Sequence, residues 1–261
     1  MSSMNAHHYT QEFYDSQING SLTSARPFLR LLRQCYPFQS VTDVGCGRGT
    51  WLLAALELGA DDVLGVDGSW NHQDQMIDPR IHFQATDLDA PAGNWLKKRA
   101  DLAISMEVAE HLRPTSSQNF VKALTGISDV VLFSAAFLRQ GGENHINERR
   151  HSEWAAMFRA QGYVPVDFFR PVLWADQSIE ICYRQNAFLY VKESGDAIKS
   201  ILSASRAGLV NDCFMDCIHP ELFLSKTRKK TPVERIRNLI PNLIKSLRKR
   251  TRRAMLKFRV S

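Results

Sequence analysis

The 261-residue sequence lacks any run of 18 apolar residues, so it predicts no membrane-spanning helix. Its five cysteines are odd in number and scattered, which favours a reducing compartment over a disulfide framework. Cys213 and Cys217 lie close together, but no second ligand pair accompanies them, so no zinc site is expected there. The polar N-terminus has no basic-then-apolar leader pattern. We therefore expect a cytoplasmic protein.

The net charge of +6 is unevenly distributed. Residues 225–261 hold 14 Lys or Arg and one acid, Glu234, whereas the remainder holds 19 basic and 26 acidic side chains, so the tail carries +13 and the body −7. Apolar tail residues recur at helical spacing after a start at Thr231 and Pro232: Val233, Ile236, Leu239, Ile240, Leu243, Ile244 and Leu247. This basic amphipathic pattern predicts peripheral binding to the anionic inner face of a membrane; a protein partner or a solvated tail is the alternative. Few aromatics and an acidic body disfavour nucleic acid.

Strand-like and helix-like segments alternate from residue 41 onward. The predicted strands span 41–46, 62–67, 81–86, 101–106, 129–135, 164–169 and 179–191. The predicted helices span 9–35, 49–58, 70–76, 92–98, 115–126 and 151–161. This alternation predicts an α/β fold, a Rossmann-like, doubly wound, mostly parallel seven-stranded sheet. The last strand is expected to run antiparallel, in a hairpin-like pair with the sixth, because no helix is predicted between them.

The same segments suggest four parts of the chain. A helical cap (1–40) precedes a cofactor-binding domain (41–195), a linker with a short helix (196–224) and the basic tail (225–261). The sequence does not indicate the oligomeric state.

A glycine-rich loop follows the first predicted strand, in VTDVGCGRGTWL (residues 41–52). Glycine permits a tight turn and close approach of a ligand, and the next helix starts with outward amides. A phosphate-binding P-loop would end in Lys followed by Ser or Thr, and a dinucleotide fingerprint would place its third glycine three residues after the second. Here Gly49 comes two residues after Gly47, and Asp43 precedes the loop. This form resembles motif I of class I S-adenosylmethionine (SAM) dependent methyltransferases.

Acidic residues occur at the end of each of the first four predicted strands, in VTDVG, GVDGSW, ATDL and SMEVAEHL. Ligands of open α/β sheets bind at these strand ends. The resemblance implies that Asp67 accepts the ribose hydroxyls, that Asp87 and the amide of Leu88 bind the adenine, and that Asp43 lies near the cofactor's ammonium. The cofactor-binding residues implied for SAM are Asp43, Gly45, Cys46, Gly47, Asp67, Gly68, Asp87, Leu88, Met106 and Glu107.

The stretch EVAEHL places Glu107, Glu110 and His111 at i, i+3 and i+4, which is one face of a helical turn. Such a trio suits general acid–base work or the binding of a divalent metal. Glu110, His111 and His145 are the candidate catalytic residues, with His111 or His145 removing the acceptor's proton. If these residues act as acid–base catalysts, no metal is predicted. The stretch also resembles small-RNA 3′-terminal 2′-O-methyltransferases, and on that likeness Glu107, Glu110, His111 and His145 (or His151) would hold a metal.

A longer resemblance covers residues 9–195, through SARPFLRLL, the glycine loop, DVVLFSAAFLRQGGENHINERRHSEW and the Arg-Gln-Asn of CYRQN. These stretches look like bacterial SAM methyltransferases associated with surface polysaccharides and glycan assembly. The resemblance implies O-methylation of a small-molecule or glycan acceptor, with Gly141-Gly142 opening a lid that brings His145, Asn147 and Glu148 over the methyl group. The alternatives are a metal-dependent RNA 2′-O-methyltransferase and a non-catalytic SAM-binding scaffold tethered by its tail.

Overall fold

The computed structural model describes residues 11–90, 99–205 and 211–227. The chain divides into two compact units, Met1–His219 and Pro220–Ser261. The predicted helix 92–98 and the basic tail beyond residue 227 lie outside the described residues. No described helix is long and apolar enough to cross a membrane.

Seven strands form the sheet of the first unit: β1 Ser40–Val44, β2 Asp62–Asp67, β3 His82–Ala85, β4 Leu102–Met106, β5 Val130–Ser134, β6 Tyr163–Val166 and β7 Phe188–Lys192. Their order is β3-β2-β1-β4-β5-β7-β6. The first five strands are parallel, and β7 runs antiparallel to both of its neighbours. The predicted mostly parallel seven-stranded sheet with an antiparallel last strand is confirmed.

The helices of the first unit are α1 Gln11–Arg33, α2 Thr50–Glu57, α3 Ser117–Ile127, α4 His151–Arg159, α5 Arg170–Leu173, α6 Ile181–Asn186, α7 Ala197–Ala204 and α8 Asp212–Met215. In the second unit the described helix is α9 Pro220–Thr227. Strands β4 and β5 are buried along their whole length, as expected of strands covered on both faces. Helix α1 buries its apolar face through Phe28, Leu29 and Leu32, and Oγ of Ser21 lies 2.8 Å from Oγ1 of Thr50 at the start of α2. The predicted cap helix thus packs beside the glycine loop.

Two predictions of local structure are wrong. Residues 179–191 are not one strand, because 181–186 form α6 and the strand starts only at Phe188. The last two strands are therefore not a hairpin: α5 and α6 lie between them in the chain. The predicted helix 70–76 is reduced to one 3₁₀ turn, Gln73–Gln75, because Asn71 turns back to hydrogen-bond with Gly47 and Arg48.

Candidate active site

The glycine loop joins β1 to α2 in a left-handed backbone. Gly45, Gly47 and Gly49 have φ values of +84°, +52° and +83°, a region that other residues rarely adopt. A Cβ on Gly45 would lie 2.3 Å from Val108 Cγ2, and one on Gly49 would lie 2.8 Å from Ile81 Cδ1. A Cβ on Gly47 would meet no heavy atom of the described chain within 4 Å. Gly47 is therefore the point of the loop that a ligand can approach closely.

Asp67 ties this loop to the end of β2. Its Oδ2 accepts the amide of Gly47 at 2.8 Å, and its Oδ1 accepts the amide of Gly68 at 2.7 Å. Each carboxylate oxygen has a second acceptor site, so these bonds leave Asp67 able to accept ribose hydroxyls as well. The amides of Gly45 and Cys46 donate to the Val66 carbonyl at 2.7 and 3.3 Å, so they hold the loop and do not face a ligand.

The two acids of this corner are almost completely buried. Asp43 is 2% exposed, and burial, followed by the negative charge of Asp67, raises its pKa well above the usual range. Burial also raises the pKa of Asp67, opposed by the amides of Gly68 and Gly47. A cationic group, such as the cofactor's ammonium, would offset the free-energy cost of ionising these two buried carboxyl groups.

The other residues predicted to bind cofactor also follow strand ends. Asp87 is exposed after β3, and its Oδ1 accepts the amide of Asp89 at 3.0 Å; Leu88 and Met106 are buried. Gly68 is covered by the ring of Trp70, since a Cβ there would lie 2.1 Å from the ring. Trp70 is 47% exposed and was not predicted to belong to the site. The signal for it was an aromatic side chain three residues after the strand-end Asp67.

Glu107, at the end of β4, has an unusual backbone. Its φ is +55°, and its amide donates to the carbonyl and the hydroxyl of Ser134 on β5 at 3.1 and 3.0 Å. Its carboxylate oxygens accept Nδ2 of Asn186 at 3.1 and 3.2 Å. Burial raises the Glu107 pKa, and the Asn186 bond is the largest effect opposing that rise.

Three of the predicted catalytic and metal-binding residues come together: Glu110, His111 and His145 offer ligand atoms within 4.8 Å of one another. Glu107 does not belong to that group, because its carboxylate is turned to Asn186. The spacing is also not that of an α-helix, since residues 109–111 form a 3₁₀ turn. The sequence thus predicted the right neighbours with the wrong local geometry.

Glu110 is fully buried, and neither carboxylate oxygen has a hydrogen-bond partner in the described part of the chain. Burial, then the charge of Glu107, raises its pKa well above the usual range. The His111 and His145 rings meet edge to face at 4.9 Å. Burial, then the neighbouring His145, lowers the His111 pKa to about 4. His111 is therefore neutral near pH 7.

The segment after β5, predicted to be a lid, is tied to the 3₁₀ turn. The amides of Ile146 and Asn147 donate to the Glu110 carbonyl at 2.9 and 3.0 Å. Asn147 was expected over the methyl group, but its side chain is buried, donating to the Ala109 carbonyl at 3.0 Å and the Ser117 hydroxyl at 2.9 Å. Asn147 therefore holds the lid segment in place.

Within this segment Glu148 orients His145. The Oε1 of Glu148 lies 2.9 Å from Nδ1 of His145, and Glu148 also accepts the amides of Arg139 and Gly141 at 2.9 and 2.6 Å. A carboxylate at Nδ1 favours the tautomer whose Nε2 carries the lone pair. That nitrogen is the one available to take a proton or to bind a metal.

His151, considered as an alternative to His145, lies elsewhere. It is the first residue of α4, 2% exposed, with Nδ1 2.9 Å from the Met215 carbonyl oxygen and Nε2 3.0 Å from Oδ1 of Asn186. Burial lowers its pKa to about 4. His151 is therefore part of the interior, and His145 is the histidine that joins the cluster.

A mostly parallel sheet with a glycine loop after β1 and acids along the following strand ends defines the class I methyltransferase fold. In agreement with this, residues 14–129 match the family model described as a methyltransferase domain. No curated protein matches the sequence. The match and the site together support the predictions of a methyltransferase and of SAM as its cofactor.

Solved structures share the fold at low identity. Human N-acetylserotonin methyltransferase in complex with SAM is 16% identical, with a TM-score of 0.50 over 69% of this chain and 55% of that chain. An O-methyltransferase family protein from Burkholderia thailandensis is 14% identical, with a TM-score of 0.51 over 73% of this chain and 62% of that chain. Magnesium protoporphyrin IX methyltransferase from Synechocystis PCC 6803 with bound SAH is 14% identical, with a TM-score of 0.51 over 72% and 91%. The chain therefore spans little more than half the length of the first two.

Proposed function

We propose that this chain is a SAM-dependent O-methyltransferase acting on a sugar or a glycan-assembly intermediate. The observation that carries the reaction type is the His145–Glu148 pair beside His111, on a segment tied to the end of β4. Methyl transfer to a hydroxyl requires an oriented acceptor and removal of its proton. His145, with Nδ1 against Glu148, is the general base; neutral His111 and buried Glu110 line the same cluster.

The cofactor position implied by the family resemblance agrees with the strand order. Asp87 on the β3 side meets the adenine, Asp67 on β2 the ribose, and Gly47 and Asp43 on β1 the amino-acid part. The raised pKa values of Asp43 and Asp67 favour a cationic ligand such as the sulfonium cofactor. The neighbours solved with SAM or SAH bound support the same choice.

The glycan acceptor rests on the sequence resemblance, which runs through the lid segment to the Arg-Gln-Asn of residues 184–186. The basic amphipathic pattern in 225–261 supports an enzyme that works at the inner membrane surface, where lipid-linked glycans are assembled.

A second candidate is a metal-dependent RNA 2′-O-methyltransferase. The unpartnered oxygens of Glu110 and the close approach of His111 and His145 favour it, since one carboxylate and two imidazoles suit a divalent transition-metal ion. Glu110, His111 and His145 would hold the ion. When bound, such an ion supplies a Lewis acid that lowers the pKa of a coordinated hydroxyl.

One assay separates the candidates. Transfer of a labelled methyl group from SAM is measured with nucleotide sugars and lipid-linked oligosaccharides, and with single-stranded RNA bearing a free 3′ end, each with Mn²⁺ and with a chelator. Methylated glycan in the presence of chelator supports the proposal. RNA turnover that requires Mn²⁺ supports the second candidate, and SAM binding without turnover supports the scaffold. Absence of SAM binding by calorimetry overturns all three.

The catalytic assignment has its own variants. We expect His145→Ala to lower kcat on the glycan acceptor by about 10²- to 10⁴-fold with SAM affinity unchanged, because general-base catalysis contributes on that order. His82→Ala is the matched control, since His82 is an exposed residue at the start of β3, the strand end opposite the glycine loop. Full turnover in His145→Ala would contradict the assignment of His145 as the base, and full turnover in His111→Ala as well would exclude both histidines.

A further inference from the structure

The Arg-Gln-Asn triplet before β7 is buried, although all three residues are polar. Arg184, Gln185 and Asn186 are 4%, 0% and 1% exposed. Burial of polar groups costs free energy unless each finds a partner, so three in succession require a dedicated network. Arg184 donates to the Trp174 carbonyl at 3.0 Å, and Gln185 accepts the amide of His219 at 2.6 Å. Asn186 is the member of the triplet that reaches the strand-end rim, through Glu107.

The amide of Asn186 is held in one orientation. Its Oδ1 accepts Nε2 of Gln185 at 2.9 Å and lies 3.0 Å from Nε2 of His151. Its Nδ2 donates to both oxygens of Glu107 and, at 3.0 Å, to Oε1 of Gln140. The donor end of the amide therefore faces the Glu107 carboxylate.

Glu107 occupies the part of the rim that belongs to the amino-acid half of the cofactor. The order β3-β2-β1-β4 places the end of β4 next to the glycine loop, on the side away from Asp67 and Asp87. Val108, the next residue, packs directly under Gly45. An extended cofactor with adenine near β3 and ribose near β2 thus brings its ammonium and sulfonium toward β1 and β4.

We propose that Asn186 is a positioning residue that fixes the Glu107 carboxylate for the cationic amino-acid half of SAM. The inference rests on the proposed function, because it assumes this cofactor. Asn186 acts through Glu107 and does not itself bind the cofactor. It acts by holding, with its two hydrogen bonds, the carboxylate of a residue that stands in a left-handed backbone at the end of β4.

The test compares two ligands that differ in the amino-acid half. Calorimetry measures Kd for S-adenosylhomocysteine, which carries it, and for 5′-methylthioadenosine, which lacks it. In Asn186→Leu we expect the Kd for S-adenosylhomocysteine to rise about tenfold and the Kd for 5′-methylthioadenosine to stay within about twofold. The variant loses the hydrogen bond from Asn186 to the charged Glu107 carboxylate, and only S-adenosylhomocysteine has the ammonium that this carboxylate would bind. Arg184→Met is the control: it removes a buried polar residue of the same triplet, whose guanidinium donates to the Trp174 carbonyl.

Each outcome has a distinct meaning. Equal weakening of both ligands, or no weakening of either, would overturn the role of Asn186. If Asn186→Leu fails to fold, Gln140→Leu decides by the same ratio of Kd values, since Gln140 Nε2 reaches Glu107 Oε2 at 3.5 Å. Because that bond is longer, we expect Gln140→Leu to raise the Kd for S-adenosylhomocysteine about threefold and to leave the Kd for 5′-methylthioadenosine unchanged. If the ratio of the two Kd values stayed as in the wild type, the proposal would be overturned. Failure of the wild type to bind either ligand would refute the proposed function instead.

Discussion

Nδ1 of His145 lies 2.9 Å from Oε1 of Glu148, and the same carboxylate accepts two backbone amides of the lid segment. One side chain therefore fixes both the imidazole and the loop that carries it. We expect Glu148→Gln to lower kcat about 10- to 100-fold without changing SAM affinity, because such an outer carboxylate sets the tautomer and orientation of its histidine. Steady-state kinetics on the identified acceptor provides the measurement. Glu143→Gln, an exposed residue of the same loop, should behave as wild type; equal kinetics in both variants would argue against the pair.

The glycine loop offers a contrast between two alanine variants. Gly45→Ala places a Cβ 2.3 Å from Val108, so we expect a fall in Tm that reflects a loss of about 1–3 kcal/mol. The Cβ of Gly47→Ala would meet no heavy atom of the described residues within 4 Å, so this variant should lose only the left-handed backbone preference, about 1 kcal/mol. SAM affinity should instead fall by at least about tenfold in Gly47→Ala, because the methyl group occupies the space left for the ligand. Unchanged SAM affinity in Gly47→Ala would show that the ligand approaches elsewhere.

The buried imidazole of His151 predicts a loss of stability in acid. Its folded-state pKa of about 4 lies below the ordinary value of 6.5, so the unfolded chain binds the proton more readily. The contribution of the neutral His151 imidazole to the free energy of unfolding is complete above pH 6.5. It declines by up to about 3 kcal/mol as the pH falls toward 4. Buried acids with raised pKa values act in the opposite direction, so the comparison is between wild type and His151→Asn. Urea unfolding at pH 7 and pH 4.5 should show a smaller loss in the variant, and equal losses would refute the assignment.

A buried ion pair joins α5 to the preceding turn. The Arg170 guanidinium donates to Asp167 at 2.7 Å and to the carbonyls of Met215 and Phe214, each at 3.0 Å. Removing one partner leaves an unpaired buried charge, so Arg170→Met should cost about 3–5 kcal/mol in the free energy of unfolding. Adding Asp167→Asn to Arg170→Met should restore part of that loss. An additive double variant in denaturant titrations would mean that the two residues do not interact.

Sequence reasoning succeeded where the signal was local. The first five strands agree with their predicted bounds to within two residues, because continuous apolar runs bounded by glycine or polar turns decide them. The glycine loop was also visible, since left-handed positions demand glycine. His145 was expected beside His111 only through the family resemblance, and the two rings do lie 4.9 Å apart.

Sequence reasoning failed where contacts between residues far apart in the chain determine the structure. The apolar and aromatic residues of ICYRQN suggested a strand, but tertiary contacts of Arg184, Gln185 and Asn186 hold that stretch in a helix. The Asn186–Glu107 bond spans 79 residues of sequence and leaves no periodic trace. The sequence predicts Glu148 only as one of the lid residues. No pattern in the neighbouring residues indicates that its carboxylate would bind two backbone amides and also His145.

Because β7 lies between β5 and β6, the sheet cannot close in the order in which the chain is synthesised. Strand β6 reaches its place with no adjacent partner until Phe188–Lys192 pairs on both sides. The insertion that completes the sheet also delivers Asn186 to Glu107. A chain that ended before β7 would therefore contain the glycine loop but would lack the contact between Asn186 and Glu107.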